Sequence, residues 1–392
     1  MNIYTNDLED YFFENDDQDF INTEEKMINE IKKRRWKYGD YKKQSWKNWL
    51  HSMAPYVGRI TPSFAHWLIR SCSTKNDVVL DPFCGVGTIP LEADLLGRKH
   101  VIGVDLNPYA YAITNGKFDR APLEDRLNWI DNVELNLTDV NIHEVDIYAH
   151  QYYHEDTLKE IISIRNEMIA DSQDFLLGCL LGIIHGHRPQ YLSAITGYII
   201  PYVKKGMKPD YKNVKDKLKT KVKRMYRSGF PMTKNATTLN QDIRNINLGN
   251  DSIDVIICSP PYYDTLDYVA ANHLRLIFLG YTLEDQIAEK EKLIQNRHTY
   301  LNNMEEVGHQ LFRLLKKDKY CIFVLGDVVK GKKTLNTAAD ISNLYQKIGF
   351  EEIAIIEDKI PVEKSTYRKF GGENSIKAKK EKSDRILVLK KP

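Results

Sequence analysis

The sequence predicts a doubly wound α/β fold on a mostly parallel sheet, and three observations predict it. A short apolar run, Asn76 to Asp81, enters a glycine turn, Asp81-Pro82-Phe83-Cys84-Gly85-Val86-Gly87-Thr88. Apolar residues then recur at helical spacing from Thr88 to Leu96, and Gly97 ends that helix before a second run, His100 to Asp105. Strand, helix, strand is the parallel unit of such folds. The alternation returns downstream at Thr237 to Asp242, Ile253 to Cys258, Tyr320 to Leu325, Glu352 to Ile356 and Arg385 to Leu389, the last two spaced to pair as a terminal hairpin.

The remaining segments follow from their composition. Glu24 to Trp49 is polar with helical spacing, so residues 1–50 read as a helical extension. Residues 118–234 break the strand and helix rhythm with a long, mostly helical and finally basic segment, which reads as an insertion. Lys364 to Lys382 is polar, contains Gly371-Gly372, and reads as a mobile loop.

A length of 392 residues with 42% apolar content is ample for a buried core. No apolar run is long enough to span a bilayer, and the acidic start (Asp7, Glu9, Asp10, Glu14) is the opposite of a signal peptide, so the expectation is a cytoplasmic chain. Cys72, Cys84, Cys179, Cys258 and Cys321 are odd in number and scattered, which supports neither disulfides nor a zinc site. His185 and His187 lack an acidic or cysteine partner, so no metal is expected.

The net charge of +2 conceals an asymmetry. From Lys204 to Lys234 the chain carries Lys204, Lys205, Lys208, Lys212, Lys215, Lys217, Lys219, Lys221, Lys223, Arg224, Arg227 and Lys234 against only Asp210 and Asp216. Such a density can neutralise phosphates, although a solvated helix face has the same composition. Tyr211, Tyr226 and Phe230 are interleaved with it. A second basic stretch, Ala271 to Met304, reads as helical and holds Arg275, Lys290, Lys292, Arg297 and His298.

The glycine turn suits a nucleoside. Gly85 and Gly87 let the backbone approach a ligand, and the helix that follows offers free amides. Asp105, ending the second strand, suits two ribose hydroxyls, and Asn107-Pro108 suits the start of the next helix. Asp242 at the end of a third strand can accept from an adenine amine. A different signature follows the strand Ile253 to Cys258: Ser259-Pro260-Pro261-Tyr262.

With these segments the chain resembles the S-adenosylmethionine-dependent amino-methyltransferases of DNA, in particular the cytosine-N4 methylases. The resemblance covers most of the chain: His51 to Ile69 is similar to the family's lead-in segment, Asp81 to Thr88 to its cofactor loop, and Ser259 to Tyr268 to its catalytic motif. It implies a seven-stranded class I methyltransferase sheet with an antiparallel terminal hairpin and a large helical insertion. Residues 51–117 would form the cofactor half, 118–234 a candidate DNA-recognition region, and 235–392 the catalytic half. The resemblance assigns cofactor contact to Tyr56, Arg59, Thr61, Asp81, Pro82, Phe83, Cys84, Gly85, Gly87, Thr88, Asp105, Leu106, Asn107, Asp242, Ile243 and Ser259, and catalysis to Ser259, Pro260, Pro261 and Tyr262. The chain departs from the family in spacing, since the insertion falls between the second and third strands, and the target-reading element is not assigned by resemblance.

The chemistry is consistent with that motif. An exocyclic amine is a poor nucleophile because its lone pair is delocalised into the ring. If the Ser259 hydroxyl and the Pro260 carbonyl each accept one amine hydrogen, the nitrogen is drawn toward tetrahedral geometry. Transfer is then a direct in-line displacement that depends on positioning. Tyr262 and Tyr263 offer stacking faces to a base rotated out of the duplex. Cys258 does not follow a proline, as the nucleophile of a ring-carbon methylase would, and reads as a small buried residue.

Serine at the motif's first position points, in this family, to cytosine. The expected reaction is therefore methylation of the cytosine N4 amine in a short DNA recognition sequence, with adenine N6, a tRNA guanine N2 amine, or a catalytically silent DNA-binding regulator as alternatives. Duplex DNA with a flipped target base is the expected partner, contacted by Tyr263, Arg188, Lys204, Lys205, Lys208, Lys221, Lys223, Arg224 and Arg227, with a possible companion restriction endonuclease.

Overall fold

The computed structural model describes residues 23–33, 46–186, 188–194, 206, 208–229, 235–261, 267–296, 298–330, 333–360 and 382–392. Nine strands run through them: β1 (Val78–Asp81), β2 (His100–Val104), β3 (Ala236–Leu239), β4 (Ile253–Cys258), β5 (Leu315–Gly326), β6 (Val328–Lys330), β7 (Lys333–Leu335), β8 (Glu351–Ile360) and β9 (Lys382–Lys390). Seven of them form one sheet in the order β3-β2-β1-β4-β5-β9-β8, while β6 and β7 make a separate hairpin. The pairs from β3 through to β5 are parallel; β9 runs antiparallel between β5 and β8. The terminal antiparallel pair is the one expected from the sequence.

The helices are α1 (Glu24–Lys33), α2 (Pro62–Cys72), α3 (Thr88–Leu95), α4 (Pro108–Phe118), α5 (Leu123–Asn132), α6 (Ile147–His150), α7 (Glu155–Ala170), α8 (Asp174–Ile184), α9 (Val214–Met225), α10 (Tyr268–Ala271), α11 (His273–Ile277), α12 (Leu283–Lys292), α13 (Tyr300–Leu314) and α14 (Thr337–Ile348). Their starts follow local chemistry. The Asn107 side chain accepts from the Tyr109 and Ala110 amides, with Pro108 in the first turn of α4, and Asn213 caps α9 by accepting from Asp216.

Because side chains alternate along a strand, the sheet buries both faces. Val79, Val101, Val255, Ile257, Ile322 and Val324 pack on one side with α1, α2 and α3. Leu80, Ile102, Val104, Ile256, Cys258 and Phe323 pack on the other with α13 and α14. A further apolar cluster joins α4 to α7, α8, α9 and α11, so the helices between the second and third strands share a core with α4.

Two sequence expectations shift. The third strand ends at Leu239 rather than Asp242, because the Asp242 side chain accepts from the Arg244 amide and caps a 3-10 turn. The stretch from Ala271 to Met304 is not one helix. It breaks at Asn272, whose side chain returns to the Tyr268 carbonyl, and again at Gly280, whose φ of +88° favours glycine. No described helix is long and apolar enough to cross a membrane.

Candidate active site

The strand order reverses between β1 and β4, and in open α/β sheets ligands gather beyond the strand carboxyl ends at such a point. A cleft opens there. Asp81 comes to it from β1, Asp105 and Leu106 from the end of β2, Gln241 and Asp242 from the segment after β3, and Ser259 and Pro261 from the end of β4. The glycine turn and the Ser-Pro-Pro motif thus line one cavity.

Three strand ends are knitted together around it. The Cys84 amide donates to the Val104 carbonyl and the Asp105 amide to the Leu239 carbonyl, while the Asn240 side chain donates to the carbonyls of Asp105 (2.9 Å) and Leu106 (3.0 Å). One Asp105 oxygen accepts from the Gly85 amide at 2.7 Å and the other from the Asn107 amide at 2.9 Å. Burial pushes the Asp105 carboxyl up to about 6 against the pull of these amides. Burial likewise raises Asp81 well above the carboxylate range, opposed by a hydrogen bond from the Phe83 amide.

A strap before α2 forms the facing wall through Tyr56, Val57, Gly58, Arg59 and Ile60. The segment leading into it is held by its carbonyls: Arg59 of the strap reaches that of His51, Lys221 that of Ser52 (2.7 Å), and the Tyr109 hydroxyl that of Pro55 (3.0 Å). His51 and His66 both bond the fully buried Glu92 of α3, at 2.5 and 3.0 Å. Burial alone would raise Glu92, but the two imidazoles hold it down at about 2. Burial in turn lowers His51 to about 4, so it meets Glu92 as a neutral donor.

Of the residues expected to hold a cofactor, Tyr56, Arg59, Asp81, Pro82, Phe83, Cys84, Gly85, Thr88, Asp105, Leu106, Asn107, Asp242, Ile243 and Ser259 line the cleft. Thr61 and Gly87 do not. Gly87 serves packing and the turn instead: its φ is +69°, and a Cβ there would stand 2.6 Å from the Thr114 methyl. Of the expected catalytic residues, Ser259 and Pro261 line the cleft, Pro260 is buried beside it, and Tyr262 lies outside the described residues with Tyr263. Cys84 and Cys258 are buried thiols, and burial pushes their ionisation up, which disfavours the thiolate a nucleophile needs.

Sequence reasoning missed Gln241, Tyr268, Leu293, Ile294, Val57, Gly58, Ile60 and Ile89 as cleft lining. Tyr268 stacks on Tyr56 at 5.8 Å between ring centroids, and only its place at the end of the Ser-Pro-Pro-Tyr continuation hinted at a role. Leu293 and Ile294 carry no signal in the chain.

The expected DNA contacts divide. Lys221 is corrected: it is only 5% exposed, with its ammonium on the Ser52 carbonyl, because it falls on the buried stripe of α9 with Val214, Leu218, Val222 and Met225. Arg275, weighed for the second basic stretch, is also buried and donates to the His185 carbonyl. Lys208, Lys223, Arg227 and Arg188 are exposed; Arg224 is half-buried, and Arg224 and Arg227 each stand 5.9 Å from the Trp49 ring centroid. Lys204 and Lys205 lie outside the described residues, as do His187 and Arg297. Among the described residues no group of three His, Cys, Asp or Glu side chains could hold a metal.

The strand order and the cleft at its reversal define a class I methyltransferase fold. The profile of the DNA methylase family N6_N4_Mtase matches residues 5–116. Type II methyltransferase M.MjaII of Methanocaldococcus jannaschii is 25% identical over 111 residues, 26% of this chain and 21% of that protein. Ribosomal protein L11 methyltransferase of Psychrobacter arcticus is 39% identical over 61 residues, 16% of this chain and 20% of that protein. The chain therefore matches about a fifth of the length of these curated relatives. Among solved structures, TrmN from Thermus thermophilus overlaps 88% of this chain and 52% of its own, at 13% identity and a TM-score of 0.34. Over the stretches they cover, the family match and the Type II relative make this chain similar to DNA amino-methyltransferases.

The residues present fit S-adenosylmethionine. Paired acidic groups, an apolar wall and the buried hydroxyl of Thr88, without a partner among the described residues, suit an adenosyl group joined to an amino acid.

Proposed function

We propose that the chain is a site-specific DNA methyltransferase that moves the methyl group of S-adenosylmethionine to the exocyclic N4 amine of cytosine in a short recognition sequence. One observation carries this reading. The Ser259 hydroxyl is buried, without a hydrogen-bond partner among the described residues, on the wall that also holds Asp81, Gly85 and Asp105. A buried hydroxyl left unpaired costs about 1–3 kcal/mol, which a substrate donor would recover.

Asp81, Phe83, Gly85, Thr88 and Asp105 would hold the cofactor, with Asp105 accepting from its ribose hydroxyls and Asp242 from its adenine amine. Bound there, S-adenosylmethionine supplies a methyl group made electrophilic by the positive sulfur. The protein prepares the acceptor. Ser259 Oγ and the Pro260 carbonyl each take one hydrogen of the base's amine, which turns the nitrogen lone pair out of the ring plane. Pro260 and Pro261 keep both acceptors rigid. Serine rather than aspartate in the first position favours cytosine over adenine. Of the cations expected at DNA, Arg188, Lys208, Lys223, Arg224 and Arg227 are the described ones left for phosphates. In this reading residues 51–117 are the cofactor half, 118–234 the DNA-facing insertion and 235–392 the catalytic half of a cytoplasmic enzyme, with a companion restriction endonuclease as a possible partner.

The test supplies tritiated S-adenosylmethionine with either duplex DNA or total tRNA, then digests the product to nucleosides. Label in N4-methylcytosine is the expected result. Label in N6-methyladenine moves the specificity to adenine, and label only in tRNA overturns the DNA assignment. Failure to bind the cofactor in equilibrium dialysis at millimolar ligand leaves a silent DNA-binding module.

A further inference from the structure

Asp242 does not stand alone at the cleft. Arg244 grips it with Nε 3.0 Å from each carboxylate oxygen and Nη2 2.6 Å from Oδ2, while the Arg244 amide donates to Oδ1 at 2.9 Å. The same guanidinium reaches outward. Nη1 donates to Asn303 Oδ1 of α13 at 2.9 Å, Nη2 to the Lys292 carbonyl at 3.2 Å, and the Glu306 carboxylate lies 3.9 Å away. Leu293 and Ile294, which follow Lys292, form part of the cleft wall. One side chain therefore fixes a cleft carboxylate and the backbone leading into the apolar surface beside it.

A planar fork can do this and an ammonium cannot. Arginine presents its donors in fixed directions, so an oxygen pair bound to it has a defined plane and its remaining lone pairs a defined direction. A carboxylate aimed in this way accepts from an amine and repels an oxo group. We propose that Arg244 is a positioning residue that aims Asp242 and sets the Leu293–Ile294 wall, so that the cleft takes an amino-purine nucleoside and rejects the oxo-purine. This rests on reading the cleft as the S-adenosylmethionine site.

Calorimetric titration tests it without turnover. S-adenosylhomocysteine and S-inosylhomocysteine, which differ by amine against oxo at the purine, are titrated into the wild-type protein, Arg244→Met and Arg244→Lys, with thermal melting as a check on folding. The wild type should prefer the adenosyl ligand by at least about tenfold, the scale of one charged hydrogen bond gained or lost. Arg244→Met should weaken the adenosyl ligand and shrink the preference to below about threefold, with the inosyl ligand less affected. Arg244→Lys, which keeps the charge but not the fork, should also lose preference, and it carries the comparison if the methionine variant fails to fold. Equal weakening of both ligands with the ratio intact means a merely structural arginine and overturns the proposal. A wild type that binds neither ligand fails differently: it removes the cofactor reading, and the proposal falls with it.

Discussion

The cleft and the basic helix α9 both concentrate polar side chains, yet they use them in opposite ways. At the cleft, charged groups are half-buried and aimed: Asp105 is held by two backbone amides and Asp242 by one arginine. On and beside α9 most lysines are spent on the protein itself. Lys212 donates to the Tyr191 and Ser193 carbonyls, Lys215 to that of Val133, Lys217 to that of Pro189 and Lys221 to that of Ser52, while Lys219 pairs with Asp131. Lys208 and Lys223 remain exposed with no bonded partner among the described residues. Cations dense in sequence are thus not cations available to a phosphate. Helical periodicity and nearby unpaired carbonyls decide which face water.

If the cleft carries the chemistry, its central hydroxyl should matter most. Ser259→Ala is expected to cut kcat by about a hundredfold or more, through loss of one acceptor preorganised for the transition state. Affinity for S-adenosylhomocysteine should change little. Unchanged turnover in single-turnover assays would move the chemistry off this hydroxyl.

The half-buried carboxylate at the end of β2 gives the next largest effect. If Asp105 takes the ribose hydroxyls, they donate to its ionised form, and burial pushes its pKa up to about 6. Below that pH the carboxyl is protonated and a cofactor must displace a proton, so S-adenosylhomocysteine affinity should fall by up to about tenfold per pH unit below 6 and level off above it. Asp105→Asn should bind weakly and lose most of this dependence. A wild-type profile flat between pH 5 and 7 would separate Asp105 from the ribose.

These contrasts also mark how much the chain disclosed. The Asn107 cap was legible because neighbours two and three residues on set it, and the glycine turn, Asp105 and the terminal strand pair because each carries a local strand or turn pattern. Ser259 and Asp81 were legible separately, and their meeting follows from the parallel sheet that puts both strand ends on one edge. Arg244, Leu293 and Ile294 were silent, since their places come from α13 and the loop before it meeting the 3-10 turn after β3. Gly87 was misread for the same reason. What fills the space beside it is Thr114, one helix further on.

Lys221 and Lys223 sharpen the comparison within one helix turn. Burial lowers Lys221 to about 7, against about 10.4 for a solvated lysine. Between those values the unfolded chain binds more protons than the folded one, so stability should rise as pH increases from 7 toward 10. Lys117, buried nearby and lowered in the same direction, adds to the trend, so the informative quantity is the difference between the wild type and Lys221→Met. At pH 9 that variant should be less stable by about 1–3 kcal/mol, the cost of an abandoned carbonyl, with a weaker pH slope and unchanged DNA affinity.

Lys223→Ala should do the reverse, at the smallest scale. Its side chain is exposed, so melting should not move. If it meets a phosphate, DNA affinity should drop a few-fold, equally for specific and nonspecific duplexes, and the slope of log affinity against log salt should flatten by about one. An unchanged salt slope in Lys223→Ala, or a flattened one in Lys221→Met, would mean that the exposed and buried sides of α9 have been assigned the wrong way round for DNA.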